Sequence, residues 1–108
     1  MVEIPIIVKE KINKLIELLK KDNIKIEKVI LFGSYSRGDY NEWSDIDLAI
    51  ISDDFTGNKF YDKMKLIDYI SKAGFDLSPI PFKKADFDNS YFAQKEILRN
   101  GITINYKN

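Results

Sequence analysis

Two runs of branched and aromatic residues, at 29–32 and 45–51, constrain this chain most. Val29, Ile30, Leu31 and Phe32 are an unbroken apolar stretch stopped by Gly33, the pattern of an interior strand. The second run, DIDLAII, has the same character except that Asp45 and Asp47 interrupt it. A buried strand admits carboxylates only where something compensates their charge. Two such strands must also be covered, and the rest of the chain supplies helical periodicity to do it. Ile12, Leu15, Ile16 and Leu19 follow Val8 at helical spacing, which predicts a first helix with Pro5 in its first turn and an end near Asp22 and Asn23. Phe60, Met64, Ile67 and Ile70 mark a second long helix, with Gly74 as its stop. FDLSPIPF, residues 75–82, reads as a shorter third strand that Pro79 and Pro81 confine to an edge or a strand end. Residues 88–99 read as a last helix stopped by Gly101, after which Ile102, Ile104 and Tyr106 alternate as a small strand. The order helix, strand, strand, helix, strand, helix predicts an α/β (α+β) fold, a small sheet with helices packed on it.

At 108 residues the expectation is one domain, 1–108, without room for a second core. Seventeen basic and 17 acidic residues give zero formal charge, so no global field draws the chain to nucleic acid or to an anionic membrane. The chain has no cysteine and no histidine. Disulfides, thiolate nucleophiles and histidine bases are therefore excluded, leaving carboxylates and hydroxyls for chemistry and oxygen-preferring ions such as Mg²⁺ as metals. The start, MVEIPIIVKEKINKL, fits neither a secretory signal nor a membrane span, and a cytoplasmic protein is expected.

Strand side chains alternate with period two, so Asp45 and Asp47 share a face, while Ile46, Leu48 and Ile50 point into the core. Two carboxylates roughly 7 Å apart along a strand repel each other in a partly desolvated site, and a divalent cation between them answers the repulsion. Asp76 stands in the same relation to the third strand, with Phe75 and Leu77 on its opposite face, and completes a three-carboxylate cluster if the strands are neighbours. Between the first two strands, Gly33 and Gly38 bracket Ser34 to Arg37. Glycines there let the backbone turn sharply and present N–H groups to an anion, and a short helix starting at Ser34 adds its dipole and the Ser34 hydroxyl. Arg37, one of only two arginines against 15 lysines, is a planar and permanently charged partner for phosphate oxygens. Phosphate donors beside metal-binding carboxylates imply a metal-bound polyphosphate and hence phosphoryl or nucleotidyl transfer. Two other motifs fail. The segment 34–38 looks like a hydrolase nucleophile elbow but lacks the histidine that elbow needs, and no Gly-Lys-Ser/Thr forms a Walker loop.

The pattern Gly33-Ser34, ten residues, then Asp45-Ile46-Asp47, together with Arg37-Gly38 and Ser44, resembles the signature of the DNA polymerase β-type nucleotidyltransferase superfamily. The chain is most similar to its minimal nucleotidyltransferase (MNT) proteins, antitoxins of HEPN/MNT toxin–antitoxin pairs. The resemblance implies the polymerase β-like fold, a small mixed β-sheet with helices packed on it. It implies that Asp45 and Asp47 hold two Mg²⁺ ions, and that Asp76 holds the catalytic ion and accepts the acceptor's proton. Gly33 and Ser34 would hold the terminal phosphates of ATP, the nucleotide donor. The implied reaction is attack of an acceptor hydroxyl on the α-phosphate, with pyrophosphate leaving. The acceptor implied is a tyrosine of a HEPN ribonuclease toxin, silenced by AMP. Ser36 departs mildly from the family, where a small residue such as alanine is common.

Plainer readings stand beside these. Asp45 and Asp47 would otherwise be solvated residues at a strand start, Asp76 a turn or cap, Arg37 a surface partner of Asp39 or Glu42, and Ser34 a helix cap. Asp53 and Asp54 read as a solvated loop, Trp43, Tyr91 and Phe92 as core or interface aromatics, and Lys83 and Lys84 as a surface pair. The competing function is a non-catalytic module that neutralises its partner by covering it. Transfer to a small molecule is the third, disfavoured because so short a chain can enclose little. Sheet edges and exposed aromatics also leave a homo-oligomer open.

Overall fold

A computed structural model describes residues 3–105. Its elements are α1 (Ile6–Lys21), β1 (Lys28–Phe32), a single turn α2 (Ser34–Arg37), β2 (Ile46–Ile51), α3 (Lys59–Ala73), β3 (Leu77–Phe82), α4 (Lys84–Asp88), a π-helical turn (Ala93–Ile97) and β4 (Ile102–Thr103). The four strands form one mixed sheet in the order β3-β2-β1-β4. β1 pairs antiparallel with β2 and β4, and β2 pairs parallel with β3.

The apolar runs are buried on both faces, as their composition predicts. On one face Val29, Leu31, Ile46, Leu48, Ile50 and Leu77 pack against Val8, Ile12, Leu15, Ile16 and Leu19 of α1 and Leu66 of α3. On the other, Ile30, Phe32, Ala49, Ile51 and Phe82 meet Phe87, Ala93 and Ile97. Burying one Leu or Ile side chain contributes about 1.5–3 kcal/mol, so these two layers dominate the stability. α1 begins where Pro5 offers its carbonyl to the N–H groups of Val8 and Lys9 (both 3.1 Å). It ends at Asp22, after which Asn23 takes a left-handed φ of 62°. Among the described residues no helix is long and apolar enough to cross a membrane.

The second helix exists as expected, but with its apolar stripe turned outward. Phe60, Met64 and Ile67 are exposed, and α3 buries Leu66 and, unexpectedly, Asp62. The Asp62 carboxylate accepts from Thr56 N–H and Oγ (both 2.9 Å) and from Gly57 N–H (3.0 Å), so the loop entering α3 holds it inside. Asn58 caps the same end, its Oδ1 accepting from Tyr61 N–H at 2.9 Å.

β3 is the edge strand its prolines require. The carbonyls of Asp76 and Phe82 accept from Ile46 N–H (2.7 Å) and Ser52 N–H (2.9 Å), so even-numbered residues face β2. Pro79 and Pro81 therefore place their missing N–H groups on the open side, where no ladder bond is lost. Lys59 covers that side: its Nζ donates to Pro81 O at 2.6 Å and lies 3.4 Å from the Phe82 ring centroid. Burial there pulls the Lys59 pKa below its ordinary value, against the opposing pull of Asp86.

The helix predicted over 88–99 starts later, near Tyr91, and a separate short helix, α4, that the spacing does not predict precedes it. α4 ends at Asp88 and Ser90 starts the chain again, its Oγ accepting from Ala93 N–H at 3.1 Å. The π-helical turn that follows bonds Leu98 N–H to Ala93 O at 2.9 Å. Asn89 and Ser90 prefer local backbone bonding to helix interior, which is why the periodicity alone misplaces this boundary. β4 is shorter than the alternation of Ile102, Ile104 and Tyr106 suggests. Ile104 N–H still bonds Val29 O at 2.8 Å, and Tyr106 lies outside the described residues. The loop residues read as solvated also do structural work: Asp54 accepts from Lys25 N–H at 2.7 Å, Asp53 from Lys84 N–H at 3.1 Å, and Lys83 Nζ donates to Phe55 O at 3.0 Å.

Candidate active site

The turn from β1 to β2 is built as the glycines demand. Gly33 has φ 76° and Gly38 φ 87°, both left-handed, and α2 is the one helical turn between them. The first N–H groups of any such turn lack helical acceptors and point out of its start. Ser36 is buried and its Oγ donates to Gly33 O at 2.9 Å, so the departure from alanine adds a brace beneath the turn. Tyr35 anchors α2 in the core, and Tyr40 stacks on it with centroids 4.5 Å apart, closing the loop behind. Asn41 and Ser44 then form a tight turn, Ser44 Oγ accepting from Asn41 N–H at 2.9 Å, that feeds the chain into Asp45.

Asp47 lies opposite Phe32 in the β1–β2 register, directly beside Gly33. A Cβ at Gly33 would stand 3.1 Å from Asp47 Cγ and nearer still to its Oδ2. The turn and the acidic strand are thus in contact, and only glycine allows it. Asp45, exposed, precedes β2, while Asp47 is half-buried within it. Burial pushes the Asp47 carboxyl above its ordinary pKa, the neighbouring Asp45 charge pushes it further, and Arg37 opposes both. Asp45 and Arg37 therefore act on Asp47 with opposite signs. Arg37 also meets Asp39, Nε to Oδ2 at 3.4 Å, an exposed pair of little energetic weight that leaves the guanidinium available.

Asp76 is brought near in backbone but not in side chain. β3 is β2's neighbour, and the Asp76 carbonyl bonds the N–H of Ile46, the residue between Asp45 and Asp47. Its carboxylate instead meets Lys11 of α1, with Nζ 3.1 Å from Oδ1 and 2.9 Å from Oδ2. Phe75 and Asp76 belong to the turn before β3, where strand alternation has not begun, and Phe75 is exposed rather than packed inward. Among the described residues no three acidic side chains converge as a ready metal cage. The fit of a metal therefore rests on the Asp45–Asp47 pair: two hard oxygen donors whose mutual repulsion and desolvation a divalent cation would relieve. Lys11 is the residue that sequence reasoning missed, since one of the chain's 15 lysines, lying on an amphipathic helix, carries no distinguishing signal. The aromatics divide: Phe92 packs edge-on to Phe32, centroids 6.3 Å apart, whereas Trp43 and Tyr91 are exposed.

The profile of the nucleotidyltransferase domain matches residues 12–102, most of the chain, including Gly33, Ser34, Arg37, Asp45, Asp47 and Asp76. The chain belongs to the nucleotidyltransferase-domain family. This nucleotidyltransferase is 42% identical over 86 residues to a Methanocaldococcus jannaschii protein named as a protein adenylyltransferase, covering 76% of this chain and 82% of that one. It is 44% identical over 46 residues to the protein adenylyltransferase MntA of Shewanella oneidensis, 43% of this chain and 33% of MntA. Among solved structures it resembles a toxin–antitoxin crystal structure with AMP-PNP, with a TM-score of 0.60 and 26% identity over 84% of this chain and 69% of that one. The nucleotidyltransferase thus shares its mixed α+β architecture with a protein of a toxin–antitoxin assembly.

Proposed function

We propose that this enzyme transfers AMP from ATP to a hydroxyl, a tyrosine, of a partner HEPN toxin, and so acts as its antitoxin. The observation that carries the reading is the contact between Gly33 and Asp47, which joins the phosphate-type turn and the carboxylate pair into one site. The names of the relatives support the transfer of AMP to protein, and the toxin–antitoxin neighbour with AMP-PNP supports the partner class and the nucleotide. In this reading the N–H groups at Gly33 and Ser34 and the Arg37 guanidinium bind the terminal phosphates of ATP. Asp45, Asp47 and, once released from Lys11, Asp76 would hold Mg²⁺, as two ions. Bound Mg²⁺ supplies charge neutralisation at the triphosphate and lowers the cost of forming an alkoxide-like nucleophile. The acceptor oxygen forms its bond to the α-phosphorus as the bond to the β-phosphate oxygen breaks, pyrophosphate leaves, and Asp76 is the candidate base for the hydroxyl proton. Within one small sheet and its helices, the acceptor arrives on another protein.

The test is label transfer from ATP labelled at the α-phosphate. Asp45→Asn with Asp47→Asn is expected to abolish it while unfolding remains cooperative at nearly the wild-type midpoint. Retained transfer by that variant contradicts the site. One observation favours a second reading: among the described residues the Lys11–Asp76 pair leaves two carboxylates, not three, together, as a non-catalytic module that covers its partner would allow. Equal neutralisation of the partner by the double variant at equal concentration would select that module instead.

A further inference from the structure

Lys11 and Asp76 are 65 residues apart in sequence and meet through two contacts, at 2.9 and 3.1 Å. Their meeting is accommodated by a third residue. A Cβ at Gly74 would stand 3.0 Å from Lys11 Cδ and 3.1 Å from Asp76 Oδ1, so the helix-terminating glycine is also the wall that makes space for the pair. Meanwhile the Asp76 backbone is already registered beside the start of β2 through its carbonyl bond to Ile46 N–H at 2.7 Å. The Asp76 backbone is therefore already beside the start of β2, while its carboxylate is engaged by Lys11.

We propose that Lys11 is a positioning residue that competes with a divalent cation for the Asp76 carboxylate, so that Asp76 joins Asp45 and Asp47 only when the ion pair with Lys11 is given up. The proposal rests on the reading that Asp45 and Asp47 bind such a cation. The pair is suited to the role because both side chains are about one-third exposed (30% and 37%). A solvated pair of this kind is weak enough for a cation to displace, whereas a fully buried one would be fixed. Lys11 thereby sets a threshold for completing the site, and it couples that threshold to the position of α1.

Mn²⁺ binding to the full chain, followed by electron paramagnetic resonance and calorimetry without nucleotide, tests this directly. Lys11→Met is expected to bind Mn²⁺ up to roughly fivefold more tightly than wild type, the range a partly exposed ion pair can contribute. Lys11→Gln serves as a second variant should methionine disturb α1. Lys11→Met combined with Asp76→Asn should bind no more tightly than Asp76→Asn alone. Unchanged or weaker binding by both folded Lys11 variants, with Asp45→Asn still losing Mn²⁺, overturns the competition and leaves the pair structural. Wild-type affinity in Asp45→Asn instead defeats the underlying metal reading, and this proposal with it.

Discussion

Gly33 carries two constraints in one residue: a left-handed φ of 76° and a missing Cβ where Asp47 stands. Gly33→Ala must strain the backbone and push the carboxylate aside, a combined cost of about 1–3 kcal/mol. Urea unfolding should show that loss, and label transfer should fall far more than stability does, because the displaced group is the proposed ligand. A variant with full transfer would contradict the contact. At Tyr69, on α3, the hydroxyl donates to Asp22 Oδ2 at 2.5 Å and ties α3 to the end of α1. That bond, with burial and the Asp22 charge, pushes the phenol up to about 12 from an ordinary 10.0. A raised folded pKa means that the bond's stabilisation is fully present below pH 10 and is lost as pH climbs toward and through 12. The stability gap between wild type and Tyr69→Phe should therefore be constant near neutrality and narrow in that alkaline window. A gap that widens with pH would contradict the sign.

Among the elements, α3 separates the existence of a helix from its orientation. The spacing of Phe60, Met64, Ile67 and Ile70 marks the helix correctly, yet the first three face solvent. Periodicity reports that one face is apolar; it does not report that a loop will pull Asp62 inward through three hydrogen bonds and so rotate the opposite side out. Phe60→Ser and Met64→Gln should accordingly shift stability by only about 0.5 kcal/mol, whereas Leu66→Ala should cost about 2–5 kcal/mol in equilibrium unfolding. The reverse ranking would restore the amphipathic reading. The strands were far more legible. Two largely apolar runs, one of them broken only by Asp45 and Asp47, admit few arrangements, and Pro79 and Pro81 point to an edge because a missing N–H is harmless only on the open side. The segment after β3 was least legible: α4 went unpredicted, and Asn89 and Ser90 separate it from the next helical turn by local hydrogen bonding that apolar spacing does not encode.

For the whole molecule, most of the candidate site is local in sequence and the rest is not. Gly33, Ser34, Arg37, Asp45 and Asp47 fall within one β-turn-β unit, so spacing alone brings them together. Asp76 depends on a parallel crossover through α3, and Lys11 on the packing of α1 near that same strand end, neither of which a short motif can specify. The fold nonetheless delivers all of them to one end of the sheet, where β2 and β3 begin. The nucleotidyltransferase-domain match and the adenylyltransferase relatives give that arrangement its proposed chemistry. The most direct test is the intact mass of a HEPN-domain partner after incubation with this enzyme, ATP and Mg²⁺. A gain of one or more AMP units, mapped to tyrosine and lost in the Asp45→Asn, Asp47→Asn variant, is the expected result; an unchanged mass with the partner still neutralised would contradict nucleotidyl transfer as its means.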